Sequence, residues 1–248
     1  MNQDESSRTD LRVAILAGGR ATRLLPVTHS VPKALLEVNG EPFVAHQLRL
    51  LRSRGITRAV ICTGHLGEKI HEFVGDGRRF GLAVAFSSDG PALLGTAGAV
   101  KKALPLLGEA FFVLYGDSYL DCDYRAVQRA WQERGQAALM TVYRNEGRWH
   151  RSNVEFADGR ILVYDKKHPT PRMHYVDYGL GVFARAAFSG VPEGKPYDLA
   201  RLYQDLLQRG EVAALEMTER FYEIGSFAGL RELGHHLAGK AGREEVRP

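Results

Sequence analysis

The chain has 248 residues, of which 44% are hydrophobic and 25% charged, and its formal net charge is +4. This composition is typical of a globular protein, and the length allows one large α/β domain. Basic residues are interspersed with acidic ones and form no basic stripe with interleaved aromatics, so nucleic acid is not an expected partner. No segment has the apolar length of a signal-peptide core or a membrane span, and we expect no membrane association.

The cysteine content is low. Cys62 and Cys122 are far apart and form no Cys-x-x-Cys pair, which argues against a zinc site or a disulfide framework. A reducing compartment suits such a chain, and we expect a cytoplasmic protein.

Strand-like and helix-like runs alternate along the first half of the chain, after ten polar residues that we expect to be disordered. Such alternation predicts βαβ units and hence one doubly wound, mostly parallel sheet. In a sheet of this kind the ligand crevice lies outside the carboxyl ends of the strands. The patterns predict strands over 12–17, 58–63, 82–87 and 111–115, and helices over 42–54, 66–74 and 96–107.

The second half begins with the same alternation and then changes. Short strands flanking the turn at Asp158-Gly159 predict a small β subregion over about residues 145–190. The domain is expected to end near residue 238. The predicted elements are a helix over 123–134, a strand over 138–143, the short strands within 152–183, a helix over 198–208, a last helix from Ser226 to about Leu237, and a frayed tail over 239–248.

The segment from Ala14 to Pro42 joins a buried strand to a glycine turn and to separately placed cations. Gly18-Gly19 allows the backbone to close against a ligand where a Cβ would intrude. Backbone N–H groups in such a turn form a concavity for phosphate oxygens, and the Arg23 guanidinium can bind two oxygens at once. This segment therefore predicts a nucleoside triphosphate site.

The same segment resembles a known signature. The residues LAGGRATRL from Leu16 to Leu24, followed by Pro32-Lys33, resemble the GGxGTRL and PK motifs of the sugar-1-phosphate nucleotidylyltransferases, or NDP-sugar pyrophosphorylases. Ala21 stands where the family has glycine. The resemblance covers residues 11 to 235 and implies a Rossmann-like nucleotidyltransferase fold with the small β subregion on the sugar side. The short bacterial members that it resembles include heptose-1-phosphate guanylyltransferases and N-acetylmuramate-1-phosphate uridylyltransferases.

The reaction that the resemblance implies is attack by an oxygen of a sugar 1-phosphate on the α-phosphorus of an NTP, with Mg²⁺ as cofactor. The products are an NDP-sugar and pyrophosphate, so the partners are an NTP and a sugar 1-phosphate. We favour GTP with a mannose-like or heptose phosphate, and UTP next. A homo-oligomer is left open.

Two groups of site residues on the nucleotide side follow from the resemblance. Arg23 and Lys33 are expected to be catalytic, because they contact the phosphates in the family. The stretch from Asp89 to Ala99, DGPALLGTAGA, resembles the loop that reads the base and ribose. The expected nucleotide-binding residues are Leu16, Ala17, Gly18, Gly19, Asp89, Gly95 and Thr96.

The resemblance also implies a pair of metal ligands. Asp117 follows the apolar strand FFVL in Tyr-Gly-Asp, where the family reads Asn-Gly-Asp and uses the aspartate for magnesium. Glu223 lies in Tyr-Glu-Ile-Gly-Ser, which resembles the aromatic-Asp-Ile-Gly-Thr segment that completes the metal site. A structural pair between Glu223 and Arg220 is the alternative.

On the sugar side, Tyr164-Asp165-Lys166-Lys167 resembles a Glu-Lys-Pro segment, so that Asp165 would bind sugar hydroxyls and Lys166 the phosphate. Lys167 in place of proline leaves the register open by one residue. Asp177 and Gly179 lie in a stretch similar to the Asn-x-Gly-aromatic lining of the sugar pocket. Because aspartate accepts hydrogen bonds from hydroxyls but cannot donate them, Asp177 in place of asparagine indicates an altered sugar preference.

Three alternatives remain at this point. A cytidylyltransferase acting on a non-sugar phosphate would keep the triphosphate half of the site and change the acceptor pocket. A metal-dependent glycosyltransferase of related fold would bind its metal through Asp121 and Asp123 and would leave Arg23 and Lys33 without a role. A non-catalytic sensing subunit would bind the nucleotide without turnover.

Overall fold

The computed structural model describes residues 11–19, 24 and 27–244. The strands and helices predicted along the chain are confirmed, each boundary within one residue except the end of the last helix. The strands are β1 (Arg12–Ala17), β2 (Glu37–Val38), β3 (Glu41–Pro42), β4 (Arg58–Thr63), β5 (Ala83–Ser88), β6 (Ala110–Tyr115), β7 (Ser118–Tyr119), β8 (Ala138–Arg144), β9 (Val154–Ala157), β10 (Arg160–Tyr164), β11 (Tyr175–Ala184), β12 (Val212–Met217) and β13 (Tyr222–Glu223). The helices are α1 (Phe43–Ser53), α2 (Gly67–Val74), α3 (Gly95–Leu107), α4 (Tyr124–Arg134), α5 (Leu199–Gln208) and α6 (Phe227–Glu244).

Among the described residues, nine strands form one mixed sheet. Its path runs β10-β9-β11-β6-β1-β4-β5, and β8 pairs with β11 on one side and β12 on the other. The pairs β1–β4, β1–β6, β4–β5 and β8–β12 are parallel, as the βαβ rhythm predicts. One long strand, β11, lies antiparallel between β6 and β8. The expected α/β sheet with a mainly parallel centre is confirmed, and its antiparallel pairs are those made by β11 and by the β9–β10 hairpin.

Helices cover both faces of the sheet, because side chains of each buried strand alternate between the two faces. Val13 and Ile15 of β1 pack into a cluster with α1, α2 and α4, whereas Ala14 packs into a second cluster with α3 and α5. Both faces of β1 are therefore apolar, and polar groups are left to the ends of the strand. In open α/β sheets the ligand crevice lies at the carboxyl ends, so this is the edge at which functional residues are expected.

The turn predicted at Asp158-Gly159 joins β9 and β10 as an antiparallel hairpin. Both residues have positive φ, 51° and 73°, which suits a tight turn between twisted strands. The hairpin attaches to the start of β11 through Tyr175 and Val154. Its role on the sugar side stays a prediction.

A second, two-stranded ribbon lies beside the main sheet. It pairs β7 with β13, with Tyr222 opposite Tyr119 and Glu223 opposite Ser118. Helix α6 packs on this ribbon through Leu233, in a cluster that includes Tyr119. The helix runs to Glu244, beyond the end expected near Leu237, and so includes residues expected in the frayed tail. In the described part of the chain no helix is both long and apolar enough to cross a membrane.

Candidate active site

A cavity of about 370 Å³ opens at the carboxyl ends of β1 and β6. Its walls come from the ends of these strands, the start of α3 and the loop that carries Lys33. Arg23, the first predicted cation, lies outside the described residues. The cavity is lined by all seven predicted nucleotide-binding residues and by Lys33 and Asp117: Leu16, Ala17, Gly18, Gly19, Asp89, Gly95, Thr96, Lys33 and Asp117.

The two glycines after β1 have different surroundings. A Cβ on Gly18 would lie 3.2 Å from the backbone nitrogen of Gly64, a tight contact, so close packing of the chain itself favours glycine at this position. No described atom lies within 4 Å of the position of a Cβ on Gly19. Because the space above Gly19 is open to the cavity, its missing side chain leaves room for a ligand against the backbone.

The small residues at the start of α3 also pack against the protein itself. Gly95 has φ +68°, and a Cβ there would come within 2.7 Å of the carbonyl oxygen of Tyr197. The Thr96 hydroxyl accepts a hydrogen bond from the Leu199 N–H at 2.7 Å, at the start of α5. Their contact with a nucleotide stays a prediction, since close helix packing already accounts for both residue types.

Asp89 is a buried acid in the wall of the cavity, only 8% exposed. One carboxylate oxygen, Oδ2, accepts a hydrogen bond from the Leu94 N–H at 3.0 Å. The other, Oδ1, is buried and has no hydrogen-bond partner among the described residues. Burial raises the pKa of Asp89 above its ordinary value, against the hydrogen bond from Leu94 and the charge of Lys102, which lower it. An unpaired buried oxygen of this kind is costly and suits a polar ligand.

Lys33 and Asp117 form an ion pair inside the cavity. Lys33 Nζ lies 2.6 Å from Asp117 Oδ2, and the side chains are 17% and 27% exposed. Pro32 precedes Lys33 in an extended conformation and leads into the short 3-10 turn Lys33–Leu35, while Asp117 follows the end of β6. The pair lies close to the open Gly19 backbone, since all three residues line one cavity.

Glu223 is brought beside Asp117 by the β7–β13 ribbon. The Ile224 N–H donates to the Asp117 carbonyl oxygen at 3.0 Å, so the residues that carry the two predicted metal ligands lie on neighbouring backbones. Glu223 Oε2 lies 3.3 Å from His150 Nε2. Arg220, proposed as a structural partner for Glu223, pairs with Glu232 at 2.6 Å and lies 3.5 Å from the Trp149 ring centre.

This donor set fits magnesium. Mg²⁺ prefers oxygen ligands and is commonly held by one or two carboxylates together with substrate phosphates. Residues 11–19, 24 and 27–244 contain no group of three or more His, Cys, Asp and Glu side chains that could hold a metal alone. Asp117 and Glu223 would therefore need phosphate oxygens to complete the ion's coordination.

The acceptor-side cluster, formed by Lys166, Asp177, Tyr115 and Tyr164, adjoins the cavity. Lys166 Nζ lies 3.1 Å from both the Tyr115 hydroxyl and Asp177 Oδ2. Tyr115 itself lines the cavity, so it connects the cluster to the ion pair of Lys33 and Asp117. Gly179, at φ +100°, donates its N–H to Asp177 Oδ1 at 3.1 Å.

Asp165 is not brought into this cluster by any described contact. Its Oδ1 accepts hydrogen bonds from the N–H groups of Lys167 and His168 at 2.7 and 3.0 Å, which stabilise the local turn. These two N–H groups, foremost that of His168, hold the pKa of Asp165 below its ordinary value. Lys166, and not Lys167, contacts the cluster, which favours the register assigned from the motif.

Comparison with known proteins decides the family. Residues 12–233 match the nucleotidyl transferase family. The chain belongs to this family. The match covers most of the sequence and includes every residue of the cavity wall.

Two of the similar proteins are named as uridylyltransferases that act on sugar 1-phosphates. The chain is 29% identical over 233 residues to a UTP–glucose-1-phosphate uridylyltransferase of Synechocystis sp., covering 87% of this chain and 60% of that protein. It is 28% identical over 228 residues to an N-acetylmuramate alpha-1-phosphate uridylyltransferase of Neisseria meningitidis serogroup B, covering 90% of this chain and 96% of that protein. The chain thus spans well under two thirds of the first relative and nearly all of the second.

A solved structure shares the fold. HddC from Yersinia pseudotuberculosis superposes with a TM-score of 0.77 at 21% identity, covering 92% of this chain and 99% of that one. The Rossmann-like nucleotidyltransferase fold expected from the sequence is confirmed.

Sequence analysis did not identify three side chains that lie at or near the candidate site of this nucleotidyl transferase. Tyr115 stands where the resemblance expects asparagine, and this difference from the family pattern could have indicated that Tyr115 has a role in the site. Tyr164 immediately precedes Asp165-Lys166 but ends a strand, where a tyrosine is ordinary. His150 lies 3.3 Å from Glu223 and stacks on Phe221 at 5.6 Å between ring centres, and no local motif indicates this contact.

The acids of the glycosyltransferase alternative have structural partners in this family member. Asp123 caps α4, since its Oδ1 accepts from the N–H groups of Arg125 and Ala126 at 2.9 and 3.0 Å. Asp121 accepts from Arg54 Nε at 2.8 Å and pairs with Lys240 of α6. Burial opposes ionisation of Asp121, but hydrogen bonds from Lys240 and Arg54 outweigh it and lower its pKa.

Proposed function

We propose that this chain transfers a nucleotidyl group from an NTP to a sugar 1-phosphate, giving an NDP-sugar and pyrophosphate. One observation carries the proposal: residues 115–117, at the end of β6, join the Lys166 cluster to the Lys33–Asp117 pair, and this pair lines one cavity with Gly18 and Gly19. A separate cation for each of two phosphate groups suits a reaction that joins two phosphorylated substrates. The names of the relatives supply the substrate class.

The reaction needs no protein nucleophile. The sugar phosphate is already ionised at neutral pH, so the barrier comes from repulsion between two anions and from charge on the leaving pyrophosphate. The Lys33 ammonium group is placed to neutralise the triphosphate beside the Gly19 backbone, and Lys166 to hold the incoming phosphate. Orientation of the two phosphates then supplies the rest of the rate enhancement.

Asp117 and Glu223 would hold magnesium in this scheme. When bound, the ion supplies positive charge that neutralises the phosphate oxygens during the displacement. The chain's own part is to hold the backbone of Glu223, on β13, next to Asp117, which immediately precedes β7.

Glu223→Gln is expected to shift the Mg²⁺ dependence of pyrophosphate release to higher concentration and to lower kcat, on the 10- to 100-fold scale of lost metal-site interactions. Glu223→Asp should keep much of the activity, because it retains the carboxylate. Titration of Mg²⁺ at saturating substrates measures both.

Glu232→Gln is the matched control, since Glu232 is a nearby acid that pairs with Arg220. It should leave the magnesium midpoint where it is. If Glu223→Gln changes only thermal stability, Glu223 is a structural partner of His150 and the metal ligand lies elsewhere.

Guanine is the base that the cavity suits best. Asp89 Oδ1 is a buried acceptor that has no hydrogen-bond partner among the described residues, and guanine presents two adjacent N–H donors on its Watson–Crick edge. Uracil presents one donor between two carbonyl oxygens, which a carboxylate repels. We therefore propose GTP as the nucleotide substrate.

Asp89→Asn is expected to reduce the preference for GTP over UTP, by an amount on the scale of about 1–3 kcal/mol per lost bidentate base contact. The ratio of kcat/KM for the two nucleotides checks this. Ser88→Ala, at a neighbouring hydroxyl that accepts from the Gly90 N–H, serves as the control. An unchanged ratio in Asp89→Asn would remove Asp89 from base recognition.

Both cysteines are buried free thiols, and burial raises the pKa of each to about 12. Unpaired, unreactive thiols suit the cytoplasmic location that we propose.

A pyrophosphate-release screen tests the function as a whole. Four NTPs are combined with a panel of sugar 1-phosphates and with non-sugar phosphates, in magnesium and in EDTA. We expect release only with a sugar 1-phosphate and only with the divalent ion. Release with a non-sugar phosphate and CTP would favour the cytidylyltransferase alternative, and nucleotide binding without release would favour a sensing subunit.

A further inference from the structure

The Asp177 carboxylate is buried, and protein groups contact both of its oxygens. Its side chain is 4% exposed, and both carboxylate oxygens are occupied by protein donors. Oδ2 faces the Tyr164 hydroxyl at 2.9 Å, Lys166 Nζ at 3.1 Å and the Tyr115 hydroxyl at 3.3 Å, while Oδ1 accepts from Gly179. Three of these four donors share Oδ2, and one contacts Oδ1. Burial of the carboxylate behind these groups, and not a lack of lone pairs, keeps a sugar hydroxyl away from it.

Lys166, in contrast, keeps one donor for a ligand. An ammonium group has three N–H donors, and within the described part of the chain those of Lys166 have two protein acceptors, Asp177 and Tyr115. The side chain is 40% exposed, so the remaining donor is accessible. Nζ also lies 4.8 Å from the centre of the Tyr115 ring, a further stabilising contact for the cation.

The surroundings keep this amine charged. Burial alone lowers the pKa of Lys166, but the Tyr115 hydroxyl and the Asp177 carboxylate outweigh burial and raise that pKa above its ordinary value. Without Asp177, only the Tyr115 hydroxyl would offset the desolvation of Lys166.

Two departures from the family pattern meet in this cluster. Tyr115 and Asp177 each stand where the resemblance expects asparagine, and their side chains contact each other at 3.3 Å. The backbone at Gly179 accommodates the ring, because a Cβ there would lie 3.3 Å from Tyr115 Cδ2. The tyrosine, the aspartate and the lysine between them therefore form one unit.

We propose that Asp177, together with Tyr115, is a positioning residue that holds the Lys166 ammonium group toward the phosphate of the acceptor and does not contact the sugar. This inference rests on the proposed function, since it takes the acceptor to be a sugar 1-phosphate. It replaces the expectation that Asp177 selects the sugar through its hydroxyls. Sugar selection then belongs to other residues on the acceptor side.

Steady-state kinetics with several sugar 1-phosphates provide the main test. Asp177→Asn is expected to raise the KM for every accepted sugar 1-phosphate by a similar factor. We expect this factor to be about tenfold or more, the scale of losing a residue that orients a ligand-binding group. The KM for the NTP should be unchanged. In a Lys166→Ala background the same substitution should add little, because residues acting through one another are not additive. Tyr115→Phe, which keeps the ring, should show a smaller effect of the same kind.

Lys167→Ala is the matched control, because Lys167 is the neighbouring, exposed lysine and its expected KM values are those of the wild type. An Asp177→Asn effect that differs among sugars would show a direct sugar contact and overturn the inference. Full additivity with Lys166→Ala would do the same, and so would an equal rise in the KM for the NTP.

Calorimetric binding of mannose 1-phosphate and of inorganic phosphate, with no NTP present, gives a readout that does not need turnover. Asp177→Asn and Lys166→Ala should weaken both ligands alike, and thermal unfolding reports whether each variant is folded. If wild type binds both phosphates in this pattern but releases no pyrophosphate, only the proposed function fails. If Tyr115→Phe and Asp177→Asn are folded and bind phosphate as wild type does, the inference is wrong.

Discussion

Asp117→Asn should reduce pyrophosphate release by at least about 10²- to 10³-fold, the loss typical of removing one preorganised charge-stabilising group. The substitution removes a carboxylate that is expected to hold magnesium and that pairs with Lys33 at 2.6 Å. The fold should persist, because the Asp117 side chain is 27% exposed and its carbonyl, which accepts from Ile224, is unchanged. Single-turnover pyrophosphate release and thermal unfolding measure the two effects separately.

Asp123→Asn is the control for this prediction. Asp123 is six residues further on and caps α4, and asparagine is an equally good N-cap. Its variant should have wild-type activity. Activity of Asp117→Asn above about a tenth of wild type would remove Asp117 from the metal site, and a larger loss in Asp123→Asn would restore the glycosyltransferase alternative.

Lys33→Ala should lower kcat on the same scale, about 10²- to 10³-fold. Lys33 is the described cation that lies in the cavity wall with Gly19 and Asp117, where charge on the reacting phosphates must be neutralised. Because the interaction should strengthen as the displacement proceeds, kcat is expected to fall more than affinity for the NTP. Pre-steady-state pyrophosphate release together with nucleotide binding separates the two quantities.

Lys69→Ala provides the matched control, since Lys69 is an exposed lysine whose Nζ bonds to the Ser30 carbonyl oxygen at 2.7 Å, near the loop that carries Lys33. It should be silent in the same assay. A Lys33→Ala variant that loses only NTP affinity, with kcat intact, would make Lys33 a binding residue without a role in the chemical step.

The parts of the fold that sequence patterns predict are those set by local periodicity. Strand β1 and helix α3 were predicted to within a residue because apolar spacing and glycine positions mark their ends. The place of β11 was not predictable in this way, because pairing between β6 and β8 depends on partners far away in the chain. The extension of α6 was missed as well. Glycines give its last segment low helix propensity, whereas Lys240 secures it by pairing with Asp121.

The candidate site also has parts that the sequence predicts and parts that it does not. Lys33, Asp117 and the glycines could be proposed as site residues from the sequence, because they follow predicted strands or lie in one contiguous motif. The surroundings of Asp177 could not be proposed in this way, since its four donors come from three separate segments of the chain. A residue type seen in a motif indicates a charge or a donor, but only the fold decides whether protein groups already use it.

The ion pair between Lys33 and Asp117 has a consequence for the order of loading. The Lys33 ammonium group lies 2.6 Å from Asp117 Oδ2 and neutralises the charge of that carboxylate. A divalent ion that bound without nucleotide would have to displace Lys33 from Asp117. A triphosphate that carried the ion would give Lys33 new anionic partners, and Asp117 would then be free to bind the ion. We therefore expect magnesium to enter as the metal–nucleotide complex, and metal titrations of the free protein to show far weaker binding than titrations with nucleotide present.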